Sequence, residues 1–304
     1  MKGNTNADLS SVDLPGAGST AVYPTKVFLN GSIVDAENAK VSVFDRGFIF
    51  GDGIYEVMAR INGVFFYGDA HWERLETCLQ KIGLVYDISI LKDAIPELLE
   101  ASGIGQEDCM VYIQVTRGTA PRQHGYPPSP QPTAMMYAWK KTLPAIETKH
   151  SRVVTLEDFR WSRCDIKMTS LLGNVMANEW AMENEAYETV LIRNGVATEA
   201  SHCNVFFVKD GTVWTHPADH HILDGITRQV VLEICEELGI PVRLEGIPAD
   251  KLKQMDEAFL TGTGSQVRAI QELDDHPYFK THPGPVTLRI QRTFLELKSG
   301  KISF

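Results

Sequence analysis

The stretch RCDIKMTSLLGN (Arg163–Asn174) puts Lys167 at the end of a β-prone segment, directly before a helical pattern that includes Leu172, Val175 and Met176. A lysine at such a junction is usually a solvated surface group, and spacing alone favours that reading. Its company changes the balance. Glu199 ends the strand of LIRNGVATEA (191–200) and is followed by the small residues Ala200 and Ser201. Gly225-Ile226-Thr227 then opens a helix within HHILDGITRQVV (220–231), and LTGTGSQV (260–267) supplies a second glycine-threonine turn at Gly262–Gly264. A helix N-terminus offers free backbone N–H groups and the positive end of the helix dipole, so such turns suit anions. With Arg74, the inventory is an amine, a carboxylate and several donors fit for a phosphate.

Length and composition set the frame for that inventory. A chain of 304 residues, 43% of them hydrophobic, has enough apolar material for one large or two medium domains. The net charge of −10, with no basic cluster, argues against nucleic acid or an anionic membrane as partner. Five widely spaced cysteines without a CxxC pair suit a reducing, cytoplasmic setting rather than a disulfide framework or zinc ribbon. No apolar run is long enough to span a bilayer. Residues 1–22, rich in Ser, Gly, Asn and Asp, lack a signal-peptide core and read as a mobile extension. HPADHH (216–221) has no helical H-x-x-x-H context, so its histidines read as ordinary loop residues and no metal site is expected.

Four Asn-Gly or Asp-Gly pairs between β-prone flanks predict hairpins: KVFLNGSIVD, EVMARINGVFFY, TVLIRNGVATEA and NVFFVKDGTVWT. Two lie before residue 70 and two after 185, which gives each half its own antiparallel sheet. Leu75, Cys78, Leu79 and Ile82 mark a helix that Gly83 stops. DISILKDAIPELLEASG reads as a second helix despite Pro96, and residues 169–186 as a third. Val230, Val231, Ile234, Cys235 and Leu238 stripe a fourth that ends at Gly239, and GPVTLRIQRTFLELKSGK gives a last one. CMVYIQVTRG and PTAMMYAWKK read as strands bracketing the loop TAPRQHGYPP (119–128). The expected class is α+β in two domains: 23–141 as a small α/β domain, 142–150 as linker and 151–304 as the larger domain. The cleft between them is the default site.

An amine for an aldehyde, an anion for a pyridinium and donors for a phosphate are what pyridoxal 5′-phosphate requires. Six stretches taken together carry the matter further: DRGFIFGDGIYEV (45–57), HWERL (71–75), VYIQVTRGTAPRQH (111–124), RCDIKMTSLLGNV (163–175), TEASHCNVF (198–206) and ILDGITR (222–228). In this order and spacing the chain resembles the fold-type IV pyridoxal-phosphate enzymes, from about Lys26 to Gln271, and within them the D-amino-acid aminotransferase branch. The resemblance implies a cofactor in the inter-domain cleft, held covalently by Lys167 as a Schiff base. It further implies that Glu199 pairs with the ring nitrogen and Leu223 packs on the ring. Arg74, Ile226, Thr227, Gly262 and Thr263 would bind the phosphate, while His71 and Trp72 would be structural.

The proline-punctuated loop gains a purpose from the same resemblance. In the D-amino-acid branch an arginine and a histidine two apart in this loop, with a tyrosine, grip the substrate α-carboxylate. Here those residues are Arg122, His124 and Tyr55. A guanidinium grips a carboxylate through two parallel charge-assisted hydrogen bonds, so the residue types suit the task. In that branch the loop (118–130) reaches the neighbouring subunit's site, which implies a homodimer. The implied activity is transfer of an amino group from a D-alanine-like D-amino acid to a 2-oxo acid such as 2-oxoglutarate. Alternatives on the same fold are a branched-chain L-aminotransferase, an (R)-amine transaminase and aminodeoxychorismate lyase. A cofactor-carrying binding protein is the rival from another class. The chain departs from the pattern at His202-Cys203, where relatives carry small residues, and at Gly262, where many carry serine. Leu172 stands where branched-chain relatives place a phenol. Asp45-Arg46 and Asp165 are expected in structural ion pairs, Asp165 near Lys167.

Overall fold

The computed structural model describes residues 23–146 and 151–303; residues 1–22 and the end of the expected linker, 147–150, fall outside them. Strands β1 (Lys26–Leu29), β2 (Ser32–Asp35), β3 (Gly53–Ile61), β4 (Val64–Phe65), β5 (Cys109–Thr116) and β6 (Thr133–Lys140) form one antiparallel sheet, in the order β2-β1-β6-β5-β3-β4. Helices α1 (Arg46–Phe50), α2 (Gly68–Lys81) and α3 (Ser89–Ala101) accompany it. A second, mixed sheet holds ten strands. These are β7 (Ser151–Glu157), β8 (Glu188–Arg193), β9 (Val196–Ala200), β10 (Asn204–Lys209), β11 (Thr212–Thr215), β12 (Val242–Leu244), β13 (Ile247–Pro248), β14 (Glu257–Gly262), β15 (Gln266–Leu273) and β16 (His276–Pro277). Their order is β12-β11-β10-β14-β15-β7-β8-β9-β13, with β16 pairing β15, and α4 (Leu172–Glu183), α5 (Ile226–Glu237) and α6 (Pro285–Lys298) pack with it. The α+β class with two sheets is as expected.

All four hairpins form where the turn residues place them. Asn30-Gly31, Asn62-Gly63, Asn194-Gly195 and Asp210-Gly211 each adopt two successive positive φ angles, the type I′ geometry that matches strand twist. Gly83 and Gly239 end their helices in the left-handed conformation. Pro96 does not break α3. It is exposed, so the carbonyl one turn earlier that loses its helical donor lies on the water side.

Alternation then decides what each face buries. Val205 and Phe207 of β10 join one core with Val153, Val190 and Leu260; Phe206 and Val208 join another with Val230, Ile234, Phe259 and Phe294. A strand buried on both faces reads as the continuous apolar run VFFV. The Phe206 and Phe259 rings stack 4.9 Å apart across neighbouring strands. The first core collects Ile54, Met58, Leu75, Leu98, Val111 and Ile113, and it also takes Ile166 and Met168. That last detail places the site: with its two neighbours buried in the first core, Lys167 is held at the edge of that core, where it lines a cavity.

Candidate active site

The segment around Lys167 is not a strand, contrary to its β-prone composition. It is irregular chain with a single bridge between Met168 and Ile54 of β3. Its backbone groups are satisfied by whatever it crosses. The Lys167 carbonyl accepts from Tyr55 N (2.9 Å), its N–H donates to Cys78 Sγ (3.3 Å), and Cys164 N donates to the His220 carbonyl (2.9 Å). Pinned in this way, Lys167 lines a cavity of about 400 Å³, with its Nζ 4.2 Å from the centroid of the Tyr55 ring.

Across that cavity Glu199 is buried at the end of β9, and each of its oxygens is engaged. Arg160 Nη1 donates to Oε1 (2.7 Å); Leu223 N (3.0 Å) and Asn204 Nδ2 (3.3 Å) donate to Oε2. Burial pushes the Glu199 carboxyl up to about 7, while Arg160 pulls the other way. Arg160 is itself clamped by Asp158, whose second cationic partner is Arg193. The sequence reading missed Arg160, Asp158, Arg193 and Asn204. Nothing marks an arginine in DFRWSR as buried; Asn204, five residues after Glu199 inside a quoted stretch, was the findable one.

The donors for an anion converge beside these groups. Arg74, Ile226, Thr227, Gly262 and Thr263 all line the cavity, as do Leu223 and Tyr55. Arg74 is aimed by a bidentate pair with fully buried Glu56 (2.9 and 2.7 Å) and by the Asp224 carbonyl (3.1 Å). Burial opposes ionisation of Glu56, but Arg74 and then His71 outweigh it and hold the carboxyl well below the usual range. His71, with Nδ1 3.0 Å from Glu56, has the structural place expected of it. Helix α5 starts at Gly225, which brings no capping side chain. A Cβ there would meet Asn204 Oδ1 at 2.2 Å, so glycine lets the helix end and Asn204 share the space. The buried Thr261 Oγ1, on the cavity wall, has no partner among the described residues. An uncapped helix end, an orphan hydroxyl and a positioned guanidinium beside a lysine and a buried carboxylate suit the donor needs of pyridoxal phosphate.

The structure does not bring Arg122 and His124 to this cavity within one chain. Both are exposed and pack on Phe50: the Arg122 guanidinium carbon is 5.4 Å and the His124 ring 5.6 Å from the Phe50 ring centroid. Arg46 holds the loop through the Gln123 (2.6 Å) and His124 (3.4 Å) carbonyls. Arg46 also pairs with Asp52 (2.7 Å), whereas Asp45 caps α1 at Gly47 N instead of forming the expected ion pair. Asp165 pairs with Lys81 and Arg163, both at 2.9 Å. His216 and His221 gather around Asp219 (3.8 and 3.4 Å), and His216 Nδ1 lies 2.9 Å from the Pro217 carbonyl. His202 lines the cavity.

Comparison with known proteins decides the family. The amino-transferase class IV family model matches residues 53–273. The chain belongs to the class IV aminotransferases. Among relatives of this class IV aminotransferase, the D-alanine aminotransferase of Staphylococcus haemolyticus is 39% identical over 274 residues, covering 89% of this chain and 96% of that protein. The D-alanine aminotransferase of Bacillus licheniformis is 38% identical over 269 residues, 88% and 94% of the two chains. The branched-chain aminotransferase of Thermoproteus uzoniensis, solved with norvaline, superposes with a TM-score of 0.81 at 28% identity, over 91% of this chain and 95% of that one. The branched-chain amino acid aminotransferase of Escherichia coli gives 0.82 at 22% identity, over 92% and 96%, and speaks to the fold alone.

Proposed function

We propose that this class IV aminotransferase moves the amino group of a D-alanine-like D-amino acid to a 2-oxo acid such as 2-oxoglutarate, with pyridoxal 5′-phosphate as cofactor. One observation carries the reading: Lys167 and Glu199 line the same cavity as the uncapped end of α5. Similarity to D-alanine aminotransferases supports the choice of substrate. When bound, the cofactor supplies an aldehyde carbon for the substrate amine and a ring that accepts the electron pair released at the α-carbon.

The protein's own groups do the rest. Lys167 would hold the cofactor, and its amine would take the α-proton and return a proton on the product side. Glu199, oriented by Arg160, Asn204 and the Leu223 N–H, would keep the ring nitrogen protonated. Leu223, on the cavity wall, would pack on the ring. Arg74, Ile226, Thr227, Gly262 and Thr263 bind the phosphate.

The α-carboxylate is gripped by Tyr55 together with Arg122 and His124 of a second copy of the chain, so the active form is a homodimer. Two observations support this. The loop lies away from the cavity of its own chain. Large apolar side chains also stand exposed on adjoining elements: Phe44 and Phe48 at α1, and Leu172, Val175 and Met176 on α4, joined where Ser170 Oγ donates to the Gly51 carbonyl. Residues 23–141 and 151–304 form the two domains of each copy. No helix among the described residues is long and apolar enough to cross a membrane, and the five free, buried cysteines suit the cytoplasm.

The test is the visible spectrum of purified protein mixed with D-alanine or, in parallel, L-leucine. Loss of the lysine-bound cofactor band with D-alanine alone is the expected result. Response to L-leucine alone would move the protein to the branched-chain type. No band after adding cofactor would favour a non-catalytic role. Lys167→Ala should lose band and activity together, and survival of either would mean that another lysine does the work.

A further inference from the structure

His202 has no task in the proposed transamination, yet it lines the cavity. It sits in the turn between β9 and β10, three residues after Glu199, so the two Cα atoms are at most ~11 Å apart. Its Nδ1 lies 2.7 Å from Glu188 Oε2 and 3.2 Å from Ser201 Oγ. Glu188 is fully buried, and its other oxygen accepts from Thr189 N (2.8 Å), Ser201 N (3.1 Å) and the Ser201 hydroxyl. None of those donors is cationic; the imidazole is the charge with which Glu188 is paired. A buried carboxylate without a cation is strongly disfavoured, so the pair keeps both protons on the ring. Cys203 and then Glu188 hold the imidazole well above its ordinary range.

The ring is therefore anchored through Nδ1, and among the described residues no hydrogen-bond partner takes Nε2, which leaves it as an N–H donor. The side chain keeps 51% of its surface open. The other cationic residues of the wall are already engaged: Arg74 with Glu56, Arg160 with Glu199, and Lys167 in the chemistry. Asn178 and Glu179 of α4 line the same cavity, so charge complementarity alone is weak there and a directed N–H counts for more.

We propose that His202 is a specificity residue that donates Nε2–H to the distal carboxylate of a dicarboxylic substrate, favouring acidic D-amino acids and 2-oxoglutarate-like acids over alkyl ones. This rests on the transaminase reading above. The test uses the holoenzyme and two unreactive five-carbon acids, glutarate and pentanoate, titrated calorimetrically. Wild type should bind glutarate about tenfold more tightly than pentanoate. His202→Ser should abolish that preference, and His202→Gln, a donor without charge, should keep part of it. The kcat/KM ratio of D-glutamate to D-alanine should fall about tenfold in His202→Ser. If His202→Ser is unstable because Glu188 is orphaned, the double variant His202→Ser/Glu188→Gln gives the same comparison. Equal binding of the two acids by wild type would overturn the proposal, as would a preference that survives His202→Ser. Tighter binding of both acids alike to His202→Ser would show a merely steric residue and overturn it too. A wild type that exchanges D-alanine but ignores glutarate sinks this inference alone; one that exchanges no D-amino acid sinks the transaminase reading.

Discussion

Glu199 is buried, and among the described residues only Arg160 offers it a full opposite charge at hydrogen-bond distance. Removing one member of a buried pair leaves an uncompensated charge, typically worth about 3–5 kcal/mol. Arg160→Met should therefore destabilise the cofactor-free protein by about that much, and adding Glu199→Gln should recover a large part. Urea unfolding of the two single variants and the double checks this; simple additivity would mean that the pair is not the cause. The same carboxyl gives a pH dependence with a definite sign. Its folded value, about 7, lies above the ordinary 4.5. Between those values the folded protein holds more protons than the unfolded chain, so this contribution to stability falls as pH rises through the window. The melting temperature of cofactor-free wild type minus that of Glu199→Gln should drop from about pH 5 to about pH 7; a flat difference would contradict the burial argument. Lys167 and Glu199 were legible because they sit in contiguous stretches. Arg160 was not, because its decisive partner Glu199 lies far along the chain, and the pair with Asp158 two residues away reads the same on a surface loop.

At the scale of elements, the four hairpins were fully legible because a type I′ turn needs two positive φ angles, which Asn-Gly and Asp-Gly tolerate. Strand β7 was not. SRVVTLE carries no turn signal of its own and pairs in parallel with both β8 and β15, contacts set by distant chain. The start of α5 shows how one residue links an element to the site. Gly225→Ala would push a methyl into Asn204 Oδ1, displacing the amide that donates to Glu199 and to the Leu223 carbonyl. Cofactor affinity should fall at least about tenfold, read by fluorescence titration, with the far-ultraviolet circular dichroism unchanged. Undiminished affinity would show that Asn204 has room to move.

Two elements from different sheets meet at the cavity, but the proposed carboxylate grip needs a second molecule, and this can be asked directly. A Lys167→Ala protomer keeps its loop; an Arg122→Ala/His124→Ala protomer keeps its lysine. Each variant alone should be inactive. Random mixing makes half the dimers hybrid, each with one intact site of two, so about a quarter of wild-type activity should return. No recovery after verified exchange would place the loop in its own chain's site. A charge on the outward face of α4 addresses the same interface: Val175→Asp should shift the sedimentation of the protein toward the monomer, with activity falling in step. The sequence made the two-sheet plan legible, yet not the joint between the sheets. That joint depends on Ile166 and Met168, which lie between β7 and α4 of the second sheet's half yet bury themselves in the first core.

The wall shared by Tyr55 and Arg74 on one side and Glu199, Thr227 and Gly262 on the other has a consequence for the life of the protein in a cell. A molecule that bonds to both sides is a fastener, and at a hundredfold excess over its dissociation constant it adds about 2.7 kcal/mol of stability. Copies made during a shortage of the vitamin from which the fastener is made would open more often and be degraded first. Scarcity would thus lower the amount of the protein as well as the fraction at work.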